Sequence, residues 1–272
     1  MRYKRQGNYC VFYGEITMKK VFNQKFYEEL FLDMFIPDRE EFYTIIHFHG
    51  GGLVEGDKGD THEYCEHLCE RGFAVATANY GLMPDAKFPD FLYDAAYAVK
   101  YVTERISKYG RCRGFIISGQ SAGGYIALML CLNKEYLEFA RVDRTKIVGY
   151  VSESGQPTTH FNILDRERHL NPWIQRIDEA APLFYVDEKT EPSRLLLVTY
   201  ERDLPNRVEQ NDLLTSTLRF FKQKFDVRHE VLDGGHCAGS SVLNEDGEFD
   251  MVNLIKEWIV KYEEENLYSY DR

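Results

Sequence analysis

Ser121, His236 and Asp203 combine the residue types of an activated nucleophile, and each lies in a segment suited to that task. Ser121 centres Gly119-Gln120-Ser121-Ala122-Gly123, a G-x-S-x-G pattern. The apolar run Gly114 to Ser118 precedes it, and a small, apolar run from Ala122 to Leu132 follows. Strand, sharp turn and helix form the context in which such a serine is held strained with its hydroxyl exposed. The chemistry is acyl transfer through a covalent serine intermediate, which needs a base, an orienting acid and donors for an oxyanion. His236 is the candidate base. Among eight histidines it alone joins a post-strand loop to adjacent glycines, in Asp233-Gly234-Gly235-His236-Cys237. His229 falls within a predicted strand, His160 and His169 fall in an irregular polar segment, and His49 is expected to support its own loop. Asp203 follows the buried-strand pattern Arg194 to Tyr200, where a carboxylate can hold an imidazole in one tautomer. Glu201 is the second choice for the acid. Donors are offered by Gly50-Gly51-Gly52 after the strand-like run Thr44 to His49, because bare glycine N–H groups can approach a substrate closely.

The elements that must position these residues follow from periodicity. Strands are predicted at about 9–16, 27–35, 43–48, 73–78, 114–118, 147–153, 195–200 and 227–232. Helices are predicted at about 60–71, 89–108, 122–133, 206–224 and 250–264. The first two strands read as an antiparallel edge. The later ones alternate with helices, which predicts an α/β fold with a central, mostly parallel eight-stranded sheet and helices on both faces. Each candidate then lies just past a strand's C-terminal end, the ligand-binding edge of such sheets. Residues 156–182 break the alternation and read as a short lid-like insertion in a single domain spanning 1–272. So short an insertion is a minimal cap, and it predicts an open, shallow site for short acyl groups or a polar alcohol moiety. His49, Gln120, Glu153 and Trp173 are the candidate pocket residues.

These motifs resemble the hormone-sensitive-lipase-like esterases of the α/β-hydrolase superfamily, in particular small bacterial carboxylesterases and acetyl-esterase-like members. The marks are His49-Gly50-Gly51-Gly52, Gly119-Gln120-Ser121-Ala122-Gly123-Gly124, Asp203 and His236. The turn Asn79-Tyr80-Gly81-Leu82-Met83-Pro84 with Phe88-Pro89 and Asp94 adds to them. The resemblance runs from about Tyr27 to the C-terminal helix. It implies an oxyanion hole from the N–H groups of Gly51, Gly52 and Ala122, and hydrolysis of short-chain, acetyl-like esters with no metal or organic cofactor. The chain departs from the family pattern in having Gln120 where an acid often precedes the nucleophile, and Gly81 where arginine often follows the tyrosine. The same machinery serves amide hydrolysis in kynurenine-formamidase-like relatives and deacylation in carbohydrate acetyl or feruloyl esterases. A ligand-binding protein on the same scaffold is the remaining reading, although such proteins usually lack one member of the triad.

Composition narrows the partners. A chain of 272 residues with 44% hydrophobic content can bury one large α/β core. A net charge of −11 disfavours nucleic acid and anionic membrane surfaces. No run reaches the ~20 apolar residues needed to span a bilayer. The basic stretch Met1 to Gly7 lacks the apolar core of a signal peptide, so a cytoplasmic location with reduced thiols is expected for the six cysteines. His62, Cys65 and Cys69 share a helical face near His67, but their spacing matches no standard zinc pattern, and an amphipathic helix with buried cysteines is expected instead. Cys237 is expected in the pocket wall, where it would confer sensitivity to thiol reagents. The expected partner is a small-molecule ester. The oligomeric state stays open, a dimer included.

Overall fold

Runs of β-branched and leucine residues, apolar on both sides, can only be satisfied by burial on both faces of a sheet. In the structure, a computed structural model describing residues 3–6, 9–12, 17–191, 193–221 and 225–269, they occupy the sheet's centre. The main sheet comprises β3 (Met18–Tyr27), β4 (Leu30–Pro37), β5 (Glu41–Phe48), β6 (Ala74–Ala78), β7 (Arg111–Gln120), β8 (Ile147–Glu153), β9 (Arg194–Arg202) and β10 (Asp226–Gly235). Their spatial order is β10-β9-β8-β7-β5-β6-β4-β3. From β6 to β10 every pairing is parallel, whereas β4 runs antiparallel to both β3 and β6. Among the described residues, two further strands, β1 (Tyr3–Gln6) and β2 (Tyr9–Phe12), pair only with each other.

The period of two is visible in the core. On β9, Leu195 and Leu197 belong to one apolar cluster while Leu196 and Val198 belong to the other, on the opposite face. Helices α2 (Asp90–Arg105), α3 (Ala122–Leu132) and α5 (Arg207–Phe221) supply the first cluster. Helices α1 (His62–Glu70) and α7 (Asp250–Ser269) supply the second. Two short helices, α4 (Glu135–Phe139) and α6 (Ala238–Ser241), complete the set. α3 lies at the sheet's centre, and every one of its residues is buried.

The antiparallel edge differs from the sequence expectation. β3 takes the place predicted for a strand at 9–16, of which residues 13–16 lie outside those described. Its polar residues Lys19, Lys20, Gln24 and Lys25 conceal it from a hydrophobic pattern, as suits an edge strand with one wet side. The strand predicted at 27–35 begins at Leu30 instead. The helix predicted at 89–108 leaves α geometry at Arg105 and finishes in a tighter turn, Ile106–Tyr109. Residues 222–224 of the helix predicted at 206–224 lie outside those described.

Between β8 and β9 the chain makes an excursion instead of a helical crossover. It carries one wide helical turn, Ile163–Glu167, and returns through Pro182–Tyr185. Asp178 organises it, accepting from Thr159 Oγ1 at 2.7 Å and pairing with Arg168 and Arg176. No helix of the described residues is long and apolar enough to cross a membrane.

Candidate active site

Ser121 lies between the end of β7 and the first turn of α3, at φ 53° and ψ −113°. A non-glycine residue rarely adopts this geometry, and here the surroundings impose it. Ser121 N–H donates to the Glu153 carbonyl at 2.8 Å, and its carbonyl accepts from Tyr125 N–H at 2.9 Å. The turn is tight enough to require glycine at 123, because a Cβ there would lie inside the van der Waals envelope of the Phe48 carbonyl.

The three residues singled out for chemistry meet at the C-terminal edge of the sheet. His236 Nε2 is 2.8 Å from Ser121 Oγ, and His236 Nδ1 is 2.6 Å from Asp203 Oδ1. With Nδ1–H donating to the carboxylate, Nε2 is left to accept from the serine hydroxyl. Asp203 Oδ1 also accepts from Leu204 N–H at 2.7 Å, and Oδ2 accepts from Ser154 Oγ at 2.6 Å. Burial alone would raise the Asp203 pKa. The bonds from His236, Ser154 and the Leu204 amide outweigh it and hold the carboxyl below its ordinary range. Glu201, the second choice, is exposed on β9, and His236 Nδ1 bonds Asp203 instead.

Ser154 was not singled out from sequence, and it ties two members together. Its hydroxyl donates to Asp203 and accepts from the Cys237 N–H at 3.3 Å. The end of β8 therefore touches all three loops: Glu153 holds the serine backbone, and Ser154 holds both the acid and the chain beside the histidine.

The glycine loop after β5 is fixed from below and from the side. Tyr80 Oη donates to the carbonyls of His49 at 2.9 Å and Gly50 at 3.3 Å. The His49 ring stacks on Tyr80 with centroids 4.4 Å apart, and its Nδ1 lies 2.7 Å from the Gly50 carbonyl. Asn162, from the excursion, donates to the Gly52 carbonyl at 2.7 Å. Gly51 at φ 105° accepts from the amides of Val54 and Glu55. Among the described residues, the N–H groups of Gly51, Gly52 and Ala122 donate to no protein acceptor. They are free to receive a developing negative charge.

The four candidate pocket residues divide. Trp173 is exposed (59%) and stacks on Phe161 at 6.5 Å, so it stands at the rim. Gln120 is half-buried, and its Oε1 accepts from Ser240 Oγ at 3.0 Å. Glu153 is buried, contrary to expectation, and His49 is buried as the support of its own loop. His49 is a strut of the glycine loop, and burial pushes its pKa down. Glu153 Oε1 accepts from Tyr200 Oη and from Ser240 N–H, and burial pushes its carboxyl up. A strand-end position puts a residue near the edge, but the pleat decides which way its side chain points.

One cysteine expectation also changes. Cys237 is 4% exposed and burial raises its thiol well above the ordinary value, so it is shielded from thiol reagents. His62 pairs with Asp33 at 2.9 Å, Cys65 and Cys69 are buried free thiols, and the described residues hold no cluster of three or more metal-ligating groups.

The fold and the nucleophile turn are those of the α/β-hydrolase fold, and the chain is similar to esterases of the hormone-sensitive-lipase-like group. The BD-FAE family model matches residues 32–165. Esterase LipI of Mycobacterium tuberculosis is 37% identical over 97 residues, covering 35% of this chain and 30% of LipI. Acetyl esterase of Salmonella paratyphi B is 27% identical over 109 residues, covering 39% of this chain and 33% of that enzyme. The chain thus matches no more than about a third of the length of these curated relatives. Esterase B of Lactobacillus rhamnosus superposes with a TM-score of 0.76 at 14% identity, over 94% of this chain and 89% of that one. Thermogutta terrifontis esterase 2 gives 0.68 at 17% identity, over 90% and 94%.

Proposed function

We propose that the chain hydrolyses carboxylic esters through Ser121, with His236 as general base and Asp203 as its orienting acid. The observation that carries this reading is the unbroken hydrogen-bonded line from Asp203 through His236 to Ser121 Oγ, beside three amides with no protein acceptor. Ser121 Oγ attacks the ester carbonyl while its proton passes to His236 Nε2. The N–H groups of Gly51, Gly52 and Ala122 stabilise the oxyanion. His236 then returns the proton to the departing alcohol. Water, activated by the same imidazole, releases the acyl group. None of these steps calls on a metal or organic cofactor.

A short acyl group suits the site. The wall from 156 to 182 is a brief excursion within one hydrolase domain, and its rim residue Trp173 is open to solvent. The test compares 4-nitrophenyl esters from acetate to decanoate, using wild type and Ser121→Ala. A serine-dependent rate highest at acetate or butyrate is expected, with the variant folded and inactive. Turnover by pure Ser121→Ala, or none by wild type on any ester, refutes the reading.

A further inference from the structure

Two cationic side chains are buried among the described residues, Lys58 and Arg207. Lys58 Nζ meets Asp33 Oδ2 at 2.9 Å, so its charge is paired. Arg207 forms no salt bridge among the described residues: Asp203 acts on it electrostatically, but that carboxylate is already bonded to His236 and Ser154. A guanidinium carries five N–H donors, yet this one makes a single side-chain bond, Nη2 to Gln156 Oε1 at 3.5 Å. Its Nε has no hydrogen-bond partner, and among the described residues it forms no ion pair, although the residue is 4% exposed. Buried Glu153 can relieve its own isolation by keeping a proton. Arginine cannot, since burial draws Arg207 down only to about 10 and it stays charged at neutral pH. A desolvated charge with no hydrogen-bonded counter-ion is strongly unfavourable. Such a cost persists where function requires it.

Its location gives that function a form. The turn after Asp203 closes with Arg207 N–H donating to the Leu204 carbonyl at 3.0 Å, so Arg207 opens α5 one turn past the acid. Gln156 lies two residues beyond Ser154 and is itself anchored to Thr158 Oγ1 and the Thr159 carbonyl, at 3.1 and 2.9 Å. The guanidinium's field reaches Asp203 on one side and His160 on the other. The His160 ring stacks on Phe161 at 4.4 Å, and the next residue, Asn162, holds Gly52. Arg207 thus belongs to the wall that joins the acid loop to the oxyanion loop.

Resting on the ester-hydrolase reading above, we infer that Arg207, steadied by Gln156, receives a carboxylate carried by the substrate, so that the preferred esters bear a negative charge near the scissile bond. A planar guanidinium fork matches a carboxylate in two parallel hydrogen bonds. The overall field of a chain with net charge −11 repels such a substrate, so a preference for it must come from a local cation.

The test pairs isosteric esters. Mono(4-nitrophenyl) succinate against 4-nitrophenyl butyrate places the charge on the acyl side. 4-Acetoxybenzoate against its methyl ester places it on the alcohol side. For wild type, kcat/KM is expected to favour the anion at least tenfold in one pair, and Arg207→Met should lower that ratio at least tenfold, with Arg207→Lys in between. Because the variant removes an unpaired buried charge, Arg207→Met should also melt at or above the wild-type temperature, which a purely structural arginine would not permit. Should Arg207→Met fail to fold, the wild-type charge preference and its loss or retention in Arg207→Lys carry the decision. Glutarate should inhibit turnover of the neutral ester competitively, and glutaramide should not. Equal rates for charged and neutral esters in both pairs would overturn the inference and leave the hydrolase reading standing. No turnover of any ester would instead overturn the reading it rests on.

Discussion

Replacing Ser154 with alanine tests how the acid is held. Asp203 Oδ2 accepts from Ser154 Oγ at 2.6 Å, a bond to a carboxylate kept ionised by its neighbours. Bonds to charged groups contribute about 1.5–3 kcal/mol. Losing this one leaves Oδ2 buried without its donor and frees the Cys237 amide from its acceptor. At about 1.4 kcal/mol per decade, kcat should fall roughly 10- to 100-fold, while KM changes little because Ser154 is fully buried beneath the triad. The folded-state pKa of Asp203 should rise, since one of the bonds holding it down is gone. An aspartate with a depressed folded pKa stabilises the protein above its unfolded pKa, and that stability is lost as pH falls. The variant should therefore lose activity and stability at higher pH than wild type. The assay is steady-state hydrolysis of a 4-nitrophenyl ester across pH, with thermal melts alongside. A kcat within threefold of wild type and an unmoved acid limb would refute the argument. So would a change confined to KM.

Three further perturbations probe other parts of the site. Gly123→Ala drives a methyl group into the Phe48 carbonyl and should displace Ser121, costing about 100-fold in kcat; activity within threefold would show that the turn can relax. Asn162→Ala removes the bond to the Gly52 carbonyl at 2.7 Å and should lower kcat up to about tenfold more than it raises KM; an unchanged kcat would mean that the glycine loop is held without it. His47 and His160 are buried, and burial holds each neutral down to about 3. The unfolded chain takes up those protons below about pH 6.5, so stability should fall as pH drops through that value, by about 2 kcal/mol per histidine at pH 5. Urea melts across pH would show this, and a double replacement by glutamine should flatten the slope; an unaltered slope would assign the acid sensitivity elsewhere.

The triad candidates were legible because each stands just past an apolar run, where the parallel sheet must put its working edge. The glycine loop was legible for the same reason. What the sequence hid depends on contacts made across the fold. Ser154 and Arg207 act on partners 49 and 51 residues away, and neither belongs to a pattern that marks it. Glu153 was placed near the edge, but its side chain turns into the interior, since strand-end proximity does not fix the side of the pleat. β3 was missed because an edge strand with lysines on its wet side has no apolar alternation to detect. Among the described residues, the fold's centre was the most readable part and its rim the least.

The order of strands also bears on how the protein fails. β10 leads into His236 and pairs with β9 alone, at the outer margin of the sheet. Its contact with Ser121 closes a loop of 115 residues, whereas Ser121 itself is rooted in the buried centre. Margins open locally at lower free energy than centres do. On the proposed reading, activity depends on one of the sheet's two outer seams, and inactivation by heat or denaturant can run ahead of unfolding. On that reading, activity can cease with most of the secondary structure in place, and recover as soon as one strand re-docks.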